Sequence, residues 1–516
     1  MSMEQLKIGW GIRDFTLDKP AHMYGQMHLR PSEGVLSPLM VTALCLDGGE
    51  GQDCVIFLGC DIECPLGDII EPICEAVHAK HPEIPLHAIV LGGTHTHTCM
   101  TFRDTPERMP DGREIFPGRE SRNWFISRAA EAACEAWENR RPGGIAYGYG
   151  YAVVGHSRRV VYFDDFSLRK PNAIAPNGHA VMNGKTSDPL FSHYETGVSH
   201  MVDAMYTVDE TGKLTGILAN VPCPSQVYGS MIWQSADFWH DVRQGVKKEF
   251  GEDVYVLNQS AAGGDACPFL LHYLDAQRRR MRLKYGLDYD LALDKGKGHD
   301  RRPGDERYKR CIAECMDITE RIMDALTEIW GWAKNDIRTE VPVGHDYRTV
   351  DLPRRMVTEA ERERSEKTLA ELHYPTLEEC GNDPAEYSFR YSTQSSVERR
   401  NRLCLQHYKE QQTQSCIPMK MHVVRVGDAA FVTSRFEVFT DFQLRLQARS
   451  PFVQTFLVQL AGDEDEGYLA TERAIENKGY SASVFCNPVS AEGGQVWLED
   501  ALAVLNEMKS HESVPK

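Results

Sequence analysis

The sequence predicts a mixed α/β fold, and three observations lead to this class. Short apolar segments bounded by Gly, Pro and Asp recur along the chain, each with the length of a β-strand. Segments with helical periodicity lie between several of them, as in folds that surround a sheet with helices. The spacing is irregular and long loops are frequent, which favours mixed sheets with surrounding helices over a purely parallel, doubly wound sheet.

The predicted strands and helices alternate through the first half of the chain. Helical periodicity at Trp124–Trp137 and Phe238–Phe250 separates the strand-like segments. Several of these segments are followed directly by polar residues capable of chemistry, so we expect ligands to gather at strand ends. The strand-like segments are Cys54–Asp61, His87–Leu91, Gly216–Val221 and Asp253–Leu257.

The second half of the chain has a different character. From about Leu270 to Gln414 the sequence is charged and favours helices, and the apolar spacing at Cys311–Ala333 predicts an amphipathic helix. Strand pattern returns at Met421–Phe431, with a turn into Ala429–Thr433. No internal repeat or low-complexity linker is found. We therefore expect one domain over 1–516 with a helical insertion at about 270–414, serving as a lid or as an oligomer contact.

Charge and composition exclude several classes of partner. Lys plus Arg number 57 against 75 Asp plus Glu, a net charge of −18, so nucleic acid or an anionic membrane would meet no basic face. No apolar run approaches the roughly 20 residues that span a bilayer, and no signal peptide is readable. The 15 cysteines, without a CxxC pair, indicate reduced thiols. We expect a cytoplasmic protein with a small-molecule substrate and no membrane insertion; a homo-oligomer stays open.

The strongest local signal for a site is the THTH run at Thr94–His97, which follows two glycines at the end of a predicted strand. Residues two apart in extended chain point the same way, so His95 and His97 would present their imidazoles on one side. Imidazole suits zinc, and one ring could bind a metal while the other donates a hydrogen bond. The alternative is a pair of surface-loop histidines. The strand and glycine context favours the site.

A second signal is the small-residue segment Asn258–Pro268, which also follows a predicted strand. Its glycine-rich turn could expose backbone N–H groups to an anion or a developing oxyanion. Asp265 could orient a ligand or a water molecule. Cys267 could be a nucleophile or face the site, although a buried structural cysteine is the favoured interpretation of this residue alone.

Candidates for further metal ligands lie beyond these two segments. Cys223 is flanked by prolines that would hold a thiolate in place, and a buried structural cysteine is equally plausible. His240 lies on a predicted helix and is a candidate ligand, although a lone histidine is more often structural. Glu437 follows the strand hairpin, where a carboxylate could bind a metal. Tyr468 and Tyr480 bracket a polar segment, and spacing alone assigns them to core packing.

Taken in order, these segments resemble the N-terminal catalytic domain of the neutral/alkaline, non-lysosomal ceramidases over nearly the whole chain. The shared features are an early strand at Gly9–Phe15, Asp61 after an apolar strand, THTH, Gly-Asp-x-x-Pro, a late glutamate and two late tyrosines. Arg158 is similar to the arginine of the family's Asn-Arg segment. THTH alone is modestly specific, whereas the ordered set is much more so. The resemblance implies a mixed α/β fold around one zinc ion per chain and hydrolysis of an amide by metal-activated water.

The resemblance also implies a role for each matched residue. His95, Glu437 and Tyr468 would bind zinc. His97 would hydrogen-bond the substrate carbonyl or the oxyanion, and Tyr480 would help to stabilise the oxyanion.

This chain departs from the family pattern at two site positions. Cys223-Pro224 stands where the family has a His-Pro ligand, so either Cys223 or His240 would supply the remaining ligand. Cys267 stands where the family has a serine, and it could be a nucleophile, a ligand or a bystander. A softer donor set favours zinc, while loss of a ligand could admit another divalent ion.

The expected function is a zinc-dependent hydrolase that cleaves the N-acyl bond of a small polar or amphiphilic substrate. Ceramide itself is not expected, because ceramidases of this family are exported or membrane-facing and carry a further C-terminal β-domain, which this divergent, cytoplasmic chain is predicted to lack. One alternative is a metal-dependent enzyme that cleaves, eliminates from or isomerises a sugar-like substrate, with Asp265 or His240 as base. The other is a non-catalytic binding protein on the same scaffold.

Overall fold

The apolar segments of the sequence form strands in two main sheets. The computed structural model describes residues 4–170, 178–291, 301–464 and 467–510. In chain order the strands are β1 (Lys7–Asp14), β2 (Gly34–Val35), β3 (Met40–Asp47), β4 (Cys54–Cys60), β5 (Ile89–Gly93), β6 (Arg141–Tyr151), β7 (His156–Ser157), β8 (Arg159–Tyr162), β9 (Ala180–Met182), β10 (Phe191–Tyr194), β11 (Met201–Asp209), β12 (Leu214–Val221), β13 (Trp233–Gln234), β14 (Tyr255–Ser260), β15 (Ala266–Cys267), β16 (Val343–Pro353), β17 (Cys416–Val426), β18 (Ala429–Ser434), β19 (Glu437–Val438), β20 (Gln454–Gln459) and β21 (Tyr468–Leu469).

Helices occupy most of the remaining regular structure in the described residues. They are α1 (Ile70–Lys80), α2 (Gly118–Glu138), α3 (Phe238–Phe250), α4 (Leu274–Tyr285), α5 (Glu306–Ala333), α6 (Glu359–Ala370), α7 (Pro384–Glu410), α8 (Thr440–Arg449), α9 (Glu472–Asn477) and α10 (Ala491–Ser510).

Both main sheets are mixed, as predicted. The larger has eight strands in the order β14-β12-β11-β6-β1-β3-β4-β5, with parallel pairs only at its two edges, β12–β14 and β4–β5. The smaller has the order β16-β17-β18-β20, in which β18 and β20 are parallel. The fold class predicted from the sequence is therefore confirmed.

The two sheets pack face to face, and helices cover their outer faces. The rings of Phe57, Phe431 and Phe456 lie in this interface, with centroids 4.9 and 4.4 Å apart. Aromatic pairs at such distances contribute about 0.5–1.5 kcal/mol each beyond the burial of their area. The larger sheet is covered by α2, α3 and α5, and the smaller by α8 and α10. The result is a four-layer arrangement of helix, sheet, sheet and helix.

A glycine pair explains how closely α2 approaches the larger sheet. A Cβ on Gly9 or Gly11 of β1 would lie 1.9 or 2.2 Å from a backbone oxygen of α2. Only glycine permits this contact, because any side chain would overlap the helix backbone. The alanine-rich face of α2, including Ala132 and Ala136, packs into the space that these glycines leave.

The predicted helical insertion at about 270–414 contains a strand as well as helices. It includes α4 to α7, but between α5 and α6 lies β16, an 11-residue strand that pairs with β17 over its whole length. Residues 292–300 of this stretch lie outside the described part of the chain. Helix α5 packs against α3 and β6, so this stretch contributes to the core of the fold.

The cysteines and the helices can be compared with what the composition predicts. All fifteen cysteines are free in the structure. Within the described residues, no helix combines the length and the apolar character needed to cross a membrane.

Candidate active site

Seven of the ten predicted site residues line one large cavity. Its volume is about 1860 Å³, larger than the roughly 300–1,000 Å³ of ordinary small-molecule pockets. The cavity lies where β5, β15 and β18 end and is also lined by parts of the α4–α7 region. The seven residues are His95, His97, Arg158, Cys267, Glu437, Tyr468 and Tyr480.

The THTH segment turns sharply where β5 ends. The backbone N–H of Thr94 donates to the oxygen of Cys60, and that of His95 donates to the oxygen of Ile62. His95 has a φ of +66°, a left-handed conformation that costs a non-glycine residue roughly 1–2 kcal/mol. The segment is therefore not the extended chain that the alternation argument assumed. The two imidazoles nevertheless come together, with ring centroids 5.0 Å apart.

Glu437 and Tyr468 meet because two short strands pair. Strands β19 and β21 are parallel, and Glu437 and Tyr468 are direct register partners in this pair. One guanidinium nitrogen of Arg158, Nη2, joins them: it donates to Oε2 of Glu437 at 2.9 Å and to Oη of Tyr468 at 3.2 Å. All three side chains are buried. The resemblance named these residues separately, and the structure brings them into one hydrogen-bonded group.

The two ring nitrogens of His95 both face acceptors. Nδ1 lies 3.0 Å from the backbone oxygen of Glu63, which can only accept, so Nδ1 carries a proton. Nε2 lies 3.1 Å from Oε2 of Glu437, which is also an acceptor. Burial disfavours the imidazolium, but the carboxylate of Glu437 raises the pKa of His95 to about 9. The buried pair of His95 and Glu437 therefore favours a positive charge beside the carboxylate. Either a proton on His95 or a bound metal cation can supply that charge.

The donor set fits a divalent cation. Imidazole nitrogen and carboxylate oxygen are ordinary zinc ligands, and a ligating histidine usually donates its other N–H to a carbonyl or carboxylate, as His95 does. Among the described residues, Glu63, His95 and His97 carry ligand atoms that all lie within 4.8 Å of one another. His95 belongs both to this group and to the set implied by the resemblance.

Glu63 was missed by sequence reasoning. It lies just beyond the end of β4, which is the parallel neighbour of β5, so its backbone oxygen and carboxylate reach the ring of His95. The available signal was its position three residues after a buried strand, in the same setting that drew attention to THTH. Asp61, which directly follows the strand, is the residue that matches the family pattern in this segment.

The charge states of the remaining cavity residues follow from burial and neighbours. Burial and the neighbouring His95 hold the pKa of His97 well below its ordinary value, so this ring is neutral. Its Nε2 lies 3.0 Å from the side-chain nitrogen of Gln226. Burial raises the pKa of Tyr468 well above its ordinary value, so its phenol keeps its proton. Despite burial, His95 and Arg158 hold the pKa of Glu437 below its ordinary value.

Cys267 lines the cavity as a buried thiol. Its Sγ donates to the backbone oxygen of Phe269 at 3.3 Å, and burial raises its pKa to about 11. Asp265 does not line the cavity. Its carboxylate accepts hydrogen bonds from Thr196 and from the N–H and hydroxyl of Thr440, which fix the turn that carries Cys267.

Neither candidate for the remaining metal ligand lines the cavity. Cys223 is buried in an apolar cluster, with its Sγ 3.4 Å from the backbone oxygen of Val154. His240 lies in the first turn of α3, where its charged neighbours are Asp241, Arg243 and Asp61.

Tyr480 lies beside Tyr468 and contacts an arginine that the sequence did not single out. The two tyrosine rings are 6.1 Å apart in an edge-on arrangement. Oη of Tyr480 accepts from Nη2 of Arg400 at 2.8 Å. Arg400 lies on α7, on a helix face that sequence periodicity could not place near the site, because the contact depends on how α7 packs across the cavity.

Solved structures provide the comparison that bears on this fold. The neutral ceramidase from Pseudomonas aeruginosa superposes with a TM-score of 0.62 at 13% identity, covering 98% of this chain and 75% of that one. A ceramidase complexed with C2 gives a TM-score of 0.64 at 12% identity, covering 98% and 76%. The fold is ceramidase-like. Models of protein families give no match to the sequence, and neither do curated proteins.

The ceramidase-like fold agrees with the resemblance drawn from the motifs. At 12–13% identity the agreement concerns architecture alone. The chemistry of the site must therefore be argued from its own side chains.

Proposed function

We propose that this protein is a metal-dependent hydrolase that cleaves the N-acyl amide bond of a small polar or amphiphilic substrate. The observation that carries the proposal is the buried pair of His95 and Glu437, in which Nε2 and Oε2 lie 3.1 Å apart while Nδ1 is committed to a backbone oxygen. The ceramidase-like fold adds support, because the proteins that share it are named for hydrolysis of an amide.

The metal would be held by His95 and Glu437, with Tyr468 or Glu63 as further donors. We expect zinc, at one ion per chain, because of the imidazole and carboxylate donors. When bound, such an ion acts as a Lewis acid and makes water a competent nucleophile at neutral pH. The protein's own part is to hold these donors in place. Arg158 does this by bonding Glu437 and Tyr468 through the same nitrogen.

The other cavity residues are suited to the charge that develops during amide hydrolysis. Neutral His97 and the phenol of Tyr480 would donate hydrogen bonds to the substrate carbonyl as it becomes an oxyanion. Such a well-placed donor is worth about 3–4 kcal/mol of transition-state stabilisation. The side-chain nitrogen of Gln226 contacts Nε2 of this ring, and Nη2 of Arg30 donates to the backbone oxygen of His97, so both the ring and its backbone are held in place. Asp265 and Cys267 are structural in this proposal.

The proposal is tested by elemental analysis and turnover of the purified protein. We expect about one zinc per chain in the wild type, and loss of both metal and amidase activity in His95→Ala. His240→Ala is the matched control, since it removes a half-buried histidine outside the cavity and should keep the metal. Cys223→Ser should also keep it. Full metal occupancy in His95→Ala, or its loss only in His240→Ala or Cys223→Ser, would refute the assignment.

The remaining expectations are unchanged by the structure. Organisation as a single domain, residence in the cytoplasm, the absence of nucleic-acid partners and a substrate other than ceramide stay predictions.

A further inference from the structure

The cavity is basic although the protein is acidic. The chain has a formal net charge of −18, yet the described residues that line the cavity include nine arginines and one lysine against four acidic residues. Two of those acids are already engaged by cavity arginines, Glu437 by Arg158 at 2.9 Å and Glu410 by Arg354 at 3.0 Å. Arg310 and Arg435 pair with Glu314 and Asp463, which lie outside the lining. Cations still outnumber acids among the lining residues, so the cavity carries a local positive field.

Arg400 is a buried cation of the cavity whose hydrogen-bond partners carry no negative charge. Its side chain is buried, with 7% of the residue exposed. Nη1 donates to Sγ of Cys486 at 3.1 Å and Nη2 to Oη of Tyr480 at 2.8 Å, while Nε has no hydrogen-bond partner. Among the described residues it forms no ion pair with a carboxylate. Buried charges in proteins are normally paired, since removing a charge from water is costly.

The position of Arg400 connects it to the proposed reaction centre. It bonds Tyr480, whose ring is 6.1 Å from that of Tyr468, and Tyr468 in turn shares Arg158 with Glu437. A group bound at Arg400 would therefore lie in the same cavity as an amide placed beside His95. Guanidinium is the side chain best suited to hold carboxylate, sulfonate or phosphate, because its planar donors match those oxygens.

We propose that the substrate of this site is an anion, an N-acyl compound whose carboxylate, sulfonate or phosphate group is bound by Arg400 in the basic cavity. This inference rests on the proposed hydrolase function and adds its substrate class. An arginine-rich lining suits an anion, whose charge it can bind. In this proposal Arg400 binds the charged group of the substrate and so determines the preference for anions.

The test uses a matched series of N-hexanoyl amides that differ only at the end of a two-carbon amine. N-hexanoylethanolamine is neutral, and the corresponding amides of β-alanine, taurine and O-phosphoethanolamine are anionic. Binding to the purified metal-containing protein is measured by calorimetry, and hydrolysis is followed in parallel. We expect at least one anionic amide to bind ten times or more tighter than the neutral one. The three acids distinguish which anion the cavity takes.

Variants on α7 assign the preference to Arg400. Arg400→Gln should reduce the preference for anions to less than about threefold, and Arg400→Lys should keep part of it. Arg402→Gln is the matched control, because it removes the same charge from the exposed face of the same helix, where Arg402 pairs with Glu398 at 2.6 Å. It should leave the preference intact. Thermal unfolding checks that each variant is folded.

The outcomes separate this inference from the proposed function. Equal or tighter binding of the neutral amide in the wild type, or an unchanged preference in a folded Arg400→Gln variant, would overturn the anion inference. Hydrolysis of all four amides without preference would also overturn the anion inference, but it would support the proposed hydrolase function. Arg400-dependent binding of the anions without any hydrolysis would instead contradict the proposed reaction.

Discussion

Nε2 of His95 lies 3.1 Å from Oε2 of Glu437 in a site where both side chains are buried. The two residues are separated by more than three hundred positions in the chain. Their contact is completed by Arg158, which bonds the same oxygen of Glu437 from another direction. A carboxylate held between two positive partners is a strongly coupled unit, and several predictions depend on this coupling.

Removing the charge of Glu437 should destabilise the protein. Glu437→Gln leaves Arg158 buried without a counter-charge, and breaking a buried pair in this way costs about 3–5 kcal/mol. The free energy of unfolding in urea, measured on metal-free protein, checks this. Glu499→Gln is the control, since it breaks an exposed pair with Arg449 and should cost at most about 1 kcal/mol. An equal loss of unfolding free energy in Glu437→Gln and Glu499→Gln would show that Glu437 is not coupled to Arg158.

Gly264 should be indispensable for the position of Glu437. A Cβ at this glycine would lie 2.5 Å from the backbone oxygen of Glu437, so Gly264→Ala must displace one of the two segments. We expect a loss of stability of about 1–3 kcal/mol and a fall in turnover of roughly 10²-fold. Gly331→Ala is the control, because nothing lies within 4 Å of a Cβ there and alanine favours the helix by about 0.5–1 kcal/mol. Normal turnover in Gly264→Ala would contradict this prediction.

Asp203 should make stability depend on pH. Burial raises its pKa to about 7, with Gln454 and Gln447 opposing the shift. The folded state therefore binds a proton more tightly than the unfolded state, where the carboxyl titrates near 4. The stabilisation is fully present below about pH 4 and is lost as the pH rises to about 7, up to roughly 4 kcal/mol in total.

Asp203→Asn removes this titration and supplies the measurement. We expect its free energy of unfolding, relative to the wild type, to increase steadily between about pH 4 and pH 7 and then to level off. A constant difference across that range would mean that folding does not raise the pKa of Asp203.

Cys267 should be dispensable for the reaction. Its pKa of about 11 and its hydrogen bond to Phe269 describe a buried thiol, whereas a nucleophile must be a thiolate or be activated by a base. Cys267→Ala should keep turnover of the N-acyl substrate within about threefold, which corresponds to less than about 1 kcal/mol in the barrier. Loss of turnover by several orders of magnitude, as follows removal of a catalytic nucleophile, would restore the thiol to the mechanism.

Much of the local structure could be predicted from sequence patterns. Helix α3 begins and ends where the apolar periodicity predicted, at Phe238–Phe250, and the strand-length segments became β4, β5, β12 and β14. These predictions succeed because periodicity reports which face of a segment is buried, and that property is encoded by neighbours in the chain. The position of the THTH run at the end of a buried strand follows from the same kind of local pattern.

The strand β16 shows where such patterns fail. It lies in a stretch predicted to be helical, and most of its side chains are exposed or partly exposed. An edge strand with one face toward solvent needs little apolar sequence, because its hydrogen bonds to β17 determine its conformation. Its charged residues resemble those of the neighbouring helices in composition, so no local feature of the sequence distinguishes this strand from a helix.

The sequence by itself determined the fold class, most of the buried strands and the residue types available for chemistry. Only the tertiary structure decided which of those residues meet: Glu63 joins His95, Glu437 pairs with Tyr468, Arg400 faces the cavity, and Cys223 and His240 lie outside it. The physical reason is that a segment's burial pattern is a local property. Distances of a few ångströms between residues hundreds of positions apart depend on strand register and on the packing of whole layers.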